Sequence, residues 1–427
     1  MFNFLKKKKD RGLVDNGRAV EPVRKKKKKK NDTYITIEEE EIVKPEKYYK
    51  QKSRLFGYAR YTAAAMLVVF ILVMFAFFGD QFTGENFRYL MKHIDMNSSG
   101  VIDEFKTVVY DTAEGTVFCE YQQDFVIAAP GSLKIYDYKG VMTFSSLPST
   151  ESPRLSSSAR YVLLYDRGDR DYYVYNSFSL LRQRECDGDI IVADMSDSGV
   201  FVIVTKSLEY AAHIYVFNDN FEQISDIKKN STVVGATLSE DGEKLAVITV
   251  DAADNAELVT TLTVYGLKTS TVLMEKKING EVPVWSEFDS NGEINILTDG
   301  KLRSFDEEGN EQTVNINKSD VALFAMNNSF VAYSEVTDIG KYRNRVYLID
   351  CNENKEICSV YINEKLLKIG VGGEYMYILT ETGLFKVDKR GVIRKKDVTD
   401  PVDMIVSPAD NVFICYESRA DLIKFDE

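Results

Sequence analysis

From about residue 104 onward, short apolar runs alternate with clusters of Gly, Asp, Asn and Ser, the pattern of brief β-strands closed by tight turns. Eight stretches share one layout, a polar turn followed by an apolar run: QQDFVIAA (122–129), SSSARYVLLY (156–165), SDSGVFVIVT (196–205), SEDGEKLAVIT (239–249), DSNGEINILT (289–298), MNNSFVAYS (326–334), GVGGEYMYILT (370–380) and SPADNVFICY (407–416). They recur every 35 to 50 residues or so, the period of one supersecondary unit per repeat. A further strand follows each, for example HIYVFNDNF (213–221), LTVYGLKTS (262–270) and LFKVDKRG (384–391), and runs such as SVYI (359–362) supply a fourth. Four strands repeated eight times predict an all-β fold, a β-propeller of eight blades. The first and fifth units are short, so a seven-bladed ring stands as the alternative. The last unit ends after its third strand, and FKTVVYD (105–111) precedes the first. That run is expected to complete the last blade and so remove an exposed sheet edge.

The N-terminal part has a different pattern. Residues 61–78, YTAAAMLVVFILVMFAFF, carry no charge. As a helix they cover about 27 Å, close to the hydrocarbon thickness of a bilayer. A helix apolar all round for this length is unusual in a soluble domain. A single transmembrane signal-anchor over residues 56–79 is therefore predicted, with Arg60 snorkelling to the headgroups. Lys44, Lys47, Lys50, Lys52, Arg54 and Arg60 precede it, whereas Asp80 and Glu85 follow with Arg88 and Lys92. This asymmetry places the N-terminus in the cytoplasm and the C-terminal domain outside the cell membrane. Residues 80–103 read as a stalk, with Phe87, Leu90, Met91 and Ile94 at helical spacing and NSSG (97–100) at its boundary.

Charge sharpens this division. The 427 residues sum to −12, but residues 1–60 hold 19 Lys/Arg against 9 Asp/Glu and residues 79–427 hold 35 against 57. The basic tail, residues 1–55, has runs at 6–9 and 24–30 and is expected to be disordered. Beside a membrane helix such runs favour anionic lipids, at about 1 kcal/mol per cation, over nucleic acid.

The turns LSEDGEKLAVIT (238–249) and VSPADNVFICY (406–416) resemble blades of bacterial TolB-like propellers, and the eight-blade count with a membrane anchor resembles quinoprotein-like propellers. The chain as a whole resembles uncharacterised bacterial single-pass membrane proteins with such an ectodomain. The resemblance implies a fold and no activity. Quinone-binding members carry a tryptophan repeat, and this chain has only Trp285, so no cofactor is expected.

Catalytic chemistry is equally sparse. His93 and His213 are the only histidines, too few and too isolated for a Ser-His-acid triad or a zinc site. Five cysteines spread over separate blades make no disulfide framework, although Cys351 and Cys358 flank one turn. The expectation is a non-enzymatic binding or scaffolding module at the cell envelope. A glycan-acting hydrolase or lyase with carboxylates in the channel, or a single-pass sensor, is the alternative. Its partner, an envelope protein or polysaccharide, is expected on the face formed by the loops between second and third strands: 166–171, 206–212, 251–260 and 335–345. Arg170, Tyr210, Asp254, Tyr342, Arg343 and Arg345 are the candidate contacts, Tyr and Arg being favoured anchors.

Overall fold

A computed structural model describes residues 45–78 and 107–425, apart from 112, 123, 138–139, 253–256, 317–320, 328, 338–342, 407–411 and 424. The chain divides into two units, residues 1–100 and 101–427. The expected stalk and most of the basic tail lie outside the described residues.

In the first unit a helix, α1, spans Pro45–Phe78. It begins at a proline, suited to a first helical position, and takes in the Lys, Gln and Arg residues ahead of the apolar stretch because these are good helix formers. Leu67, Val68, Val69, Phe70, Leu72 and Val73 are each 48–62% exposed, on every side of the helix. The Thr62 hydroxyl is turned back onto the Tyr58 and Ala59 carbonyls, 3.0 Å from each. Among the residues whose side chains are described, no helical stretch is long and apolar enough to cross a membrane; Ile71 and residues 74–78 lie outside that set.

The second unit is a β-propeller of eight four-stranded antiparallel sheets. Blades 1 to 7 cover residues 117–146, 153–185, 190–229, 232–279, 283–315, 321–362 and 366–397, each a meander from an inner to an outer strand. The short first and fifth units are complete blades, which settles the count at eight. Blade 8 takes three strands from residues 403–423 and its outer strand, β1 (Val108–Val109), from the other end of the domain. Val108 pairs with Ala420 and Val109 with Arg419, as the lone run before the first unit predicts.

Why the apolar runs repeat is visible in their burial. The second strand of every blade is shielded on both faces by its neighbours, as in Val162–Asp166, Ile294–Thr298 and Val412–Cys415. Such strands must be apolar throughout. The outer strands alternate exposed and covered positions, as in Gln223–Lys229. Eight apolar clusters fill the seams, one between each pair of adjacent blades, including blades 8 and 1.

Turns on one face also interlock from blade to blade. The Ala159 amide donates to Asp197 Oδ1 at 3.1 Å, and the Ser198 amide to the Glu240 carbonyl at 3.2 Å. At Gly242, φ is +70° and a Cβ would lie 2.4 Å from Ser198 Oγ, so both backbone conformation and space demand glycine in this DG turn.

Candidate functional site

In each blade the inner strand runs from the face of the second-to-third-strand loops to the opposite face. The residue that pairs next to last before the first turn occupies one level of the channel wall. Around the ring these residues are Glu120, Ser156, Asp194, Thr237, Glu287, Ala325, Val371 and Ile405. Blades 1 to 5 therefore present polar groups at this level, and blades 6 to 8 apolar ones.

A cavity of about 640 Å³ opens along the inner strands of blades 2 to 5. Its wall is cross-linked between blades. The Ser156 hydroxyl donates to Asp194 Oδ1 at 3.1 Å and accepts the Met195 amide at 3.1 Å. Asp194 Oδ2 accepts the Leu238 amide at 2.9 Å, so one carboxylate ties three blades together. Thr237 and Ser286 hydroxyls meet at 2.9 Å and join blade 4 to blade 5.

Among the described residues, four carboxylates, those of Asp194, Asp197, Glu240 and Glu287, line this cavity, and no basic side chain does. Burial pushes Asp194 above the ordinary carboxylate range, against the pull of its amide and hydroxyl donors. Glu240 is raised by burial and by the charges of Asp197 and Asp241. Glu287 is pushed up to about 7 by burial, with the charges of Asp194 and Glu240 adding to it and the Trp285 indole N–H opposing. That N–H donates to Glu287 Oε2 at 3.1 Å. Trp285 itself is 47% exposed and meets Phe324 of blade 6 with ring centroids 5.8 Å apart.

The residues expected to make contacts are placed differently. Arg170, in the turn of blade 2, lies 3.8 Å from Glu185 and 4.0 Å from Asp189. Tyr210 sits in its loop with Lys228 over the ring at 5.2 Å. Arg343 is exposed, and its carbonyl accepts the Thr337 amide at 2.8 Å. Arg345 belongs to the third strand of blade 6 and lies flat on the blade, 4.6 Å over Tyr347, with Nη2 donating to Ser359 Oγ at 2.7 Å. Its guanidinium is occupied by its own sheet. Asp254 and Tyr342 lie outside the described residues. All four loops are on the face opposite to the turns that carry Asp197 and Glu240.

His213 engages Asp226 and, at 2.7 Å, Tyr215 on the outer strands of blade 3. All five thiols are free, Cys351 and Cys358 included. Burial raises the Cys119 and Cys186 thiols to about 12, which keeps them protonated and unreactive. Among the described residues no group of three or more His, Cys, Asp or Glu is arranged to hold a metal ion.

Residues 94–425 match a protein family described as a family of unknown function, DUF5711. No curated protein matches the chain. Two crystal structures share the architecture at 11% sequence identity, each over 76% of this chain. Sqt1 of Saccharomyces cerevisiae is covered over 100% of its length at a TM-score of 0.57, and the C-terminal WD40 domain of Sif2 over 98% at 0.53. Likeness at this identity concerns the fold alone.

Proposed function

The chain belongs to the DUF5711 family, and since that membership assigns no activity, we propose that it is a membrane-anchored binding or scaffolding propeller displayed outside the cytoplasm at the cell envelope. The carrying observation is the ring itself. A closed, seam-packed propeller offers a rigid wall and a concave channel, and propellers of the WD40 type commonly serve as interaction platforms. The apolar residues exposed on every side of α1 support anchoring, because such a helix loses about 25 cal/mol for each Å² it leaves in water. The basic residues ahead of it support a cytoplasmic N-terminus, with the lysine-rich tail on anionic lipid.

In cells that express the chain, carbonate-washed membranes are expected to retain it, and deletion of residues 45–78 to release it. Protease added outside intact cells is expected to remove the propeller and spare the tail. Recovery of the full chain in the soluble fraction, or protection of the propeller, overturns this topology.

One observation favours a second reading. Burial pushes Glu287 up to about 7 while other carboxylates line the same cavity, the kind of difference that separates acid from base in glycan hydrolysis. Under that reading, glycan turnover is lost in Glu287→Gln.

A further inference from the structure

We propose that the channel cavity of blades 2 to 5 is a binding site for a guanidinium or alkylammonium group, seated between the exposed indole of Trp285 and the carboxylates of Glu287 and Asp194. The inference rests on the binding reading above and adds the place and the chemistry of the ligand.

Three independent features converge on it. The first is shape. A cavity of about 640 Å³ is large for a single basic side chain and admits it together with part of the segment that carries it. The second is the indole. Trp285 is the only tryptophan of the chain, and it stands 47% exposed on an inner strand while one side of the ring meets Phe324 across the seam. Its N–H is spent on Glu287 at 3.1 Å, which fixes the ring and leaves a π face for a cation. The third is the wall. Its described residues contribute carboxylates and no lysine, arginine or histidine, so an incoming cation meets no repulsion there. Thr237 and Ser286 add hydroxyl oxygens beside the carboxylates as further acceptors for N–H donors.

The backbone supports the same position. At the seam between blades 5 and 6, Trp285 reaches across to Phe324. Immediately behind Glu287, on the paired strand, Asn295 is fully buried, and its Nδ2 has no hydrogen-bond partner. Neutral sugars would also use an indole and hydroxyls, but they bring no counter-charge for the cavity's carboxyl groups as these ionise.

The lone tryptophan makes the test direct, since its fluorescence reports this cavity alone. The full chain in detergent micelles is titrated with acetyl-Gly-Arg-Gly-amide, acetyl-Gly-Lys-Gly-amide, acetyl-Gly-Gln-Gly-amide, spermidine and cellobiose. Saturable change with the two basic peptides, weakened at least tenfold by Glu287→Gln and by molar salt, is the expected result. No response to the glutamine peptide or to cellobiose is expected. Calorimetry on Trp285→Phe, whose fold is verified by circular dichroism, is expected to show weaker binding with the cavity intact. A response to spermidine at lower concentration than to the peptides assigns the site to free polyamines; a preference for the peptides assigns it to polypeptide side chains. Equal response to the arginine and glutamine peptides, or binding unaffected in both variants, overturns the proposal. If an envelope partner is retained while Trp285→Phe and Glu287→Gln change nothing, the ring binds elsewhere, and only the channel site fails.

Discussion

A chain shortened to begin at residue 112 is expected to lose the closed ring, because the two termini of the propeller meet in one blade. The lost segment is small, but it is the outer strand of blade 8 and the plug of the seam to blade 1. Val108 and Tyr110 are 1% and 3% exposed. The Tyr110 ring packs on Phe118 at 5.6 Å, and Phe125 continues the stack to Phe413 at 5.1 Å. Its hydroxyl lies 2.9 Å from the Tyr416 carbonyl and 3.0 Å from that of Arg419, and its amide donates to Ser418. Truncating one buried aromatic costs about 3–5 kcal/mol, and a whole domain is stable by about 5–15 kcal/mol. Tyr110→Ala alone is therefore expected to lower the urea midpoint sharply. The shortened chain is expected to show an early transition and proteolysis within blade 8. Val109→Thr, at a 72% exposed position of the same strand, is expected to leave the midpoint unchanged. An unshifted midpoint in the shortened chain would contradict closure by β1.

The second large effect is a dependence of stability on pH that runs opposite to the usual acid unfolding. Glu287 titrates near 4.5 in the unfolded chain and at about 7 in the ring, so between those values the folded state holds a proton that the unfolded state has released. Stability from this group is complete below pH 4.5 and is lost as pH rises toward 7. The groups around it act in the same direction: Asp194 and Glu240 repel its charge, and only the Trp285 N–H stabilises it. Because the side chain keeps partial contact with channel solvent, the loss is about 2 kcal/mol rather than the full value of the shift. Urea midpoints measured from pH 5 to 8 are expected to fall for the wild type and to flatten in Glu287→Gln, which accepts the same indole N–H without ionising. A residual slope from Asp194 and Glu240 has the same sign. A midpoint that climbs across this range would show Glu287 to be ionised and paired.

Most of the ring is legible in the sequence because each second strand is buried on both faces and must be apolar for its whole length. Runs such as VLLY, FVIVT and INILT announce one blade apiece, and the DG and NG turns mark their register. The closing strand is legible for the same reason, as a β-run with no unit of its own. The channel is not, because its residues come one from each repeat. Ser156, Asp194, Thr237 and Glu287 look like unrelated polar residues until the repeats are aligned on the turn that follows them. With that alignment, the polar arc of blades 1 to 5 and the place of the single tryptophan two residues before Glu287 could have been found. Long loops drew attention to the opposite face instead. At Arg345 the loop is shorter than the sequence suggests: the strand begins at Asn344 and the arginine is laid over Tyr347 and Tyr361 by its own sheet.

The role of the ring as a binding surface is tested most directly by capture on the full chain in cells that express it. Membranes carrying tagged wild type, the seam-weakened Tyr110→Ala and Glu287→Gln are cross-linked and solubilised, and co-purifying envelope components are quantified against the chain. One envelope polypeptide or polysaccharide is expected in fixed ratio with the wild type and reduced with Tyr110→Ala, without chemical change to it. A chain that captures no such component but turns over a glycan or small metabolite would contradict that role.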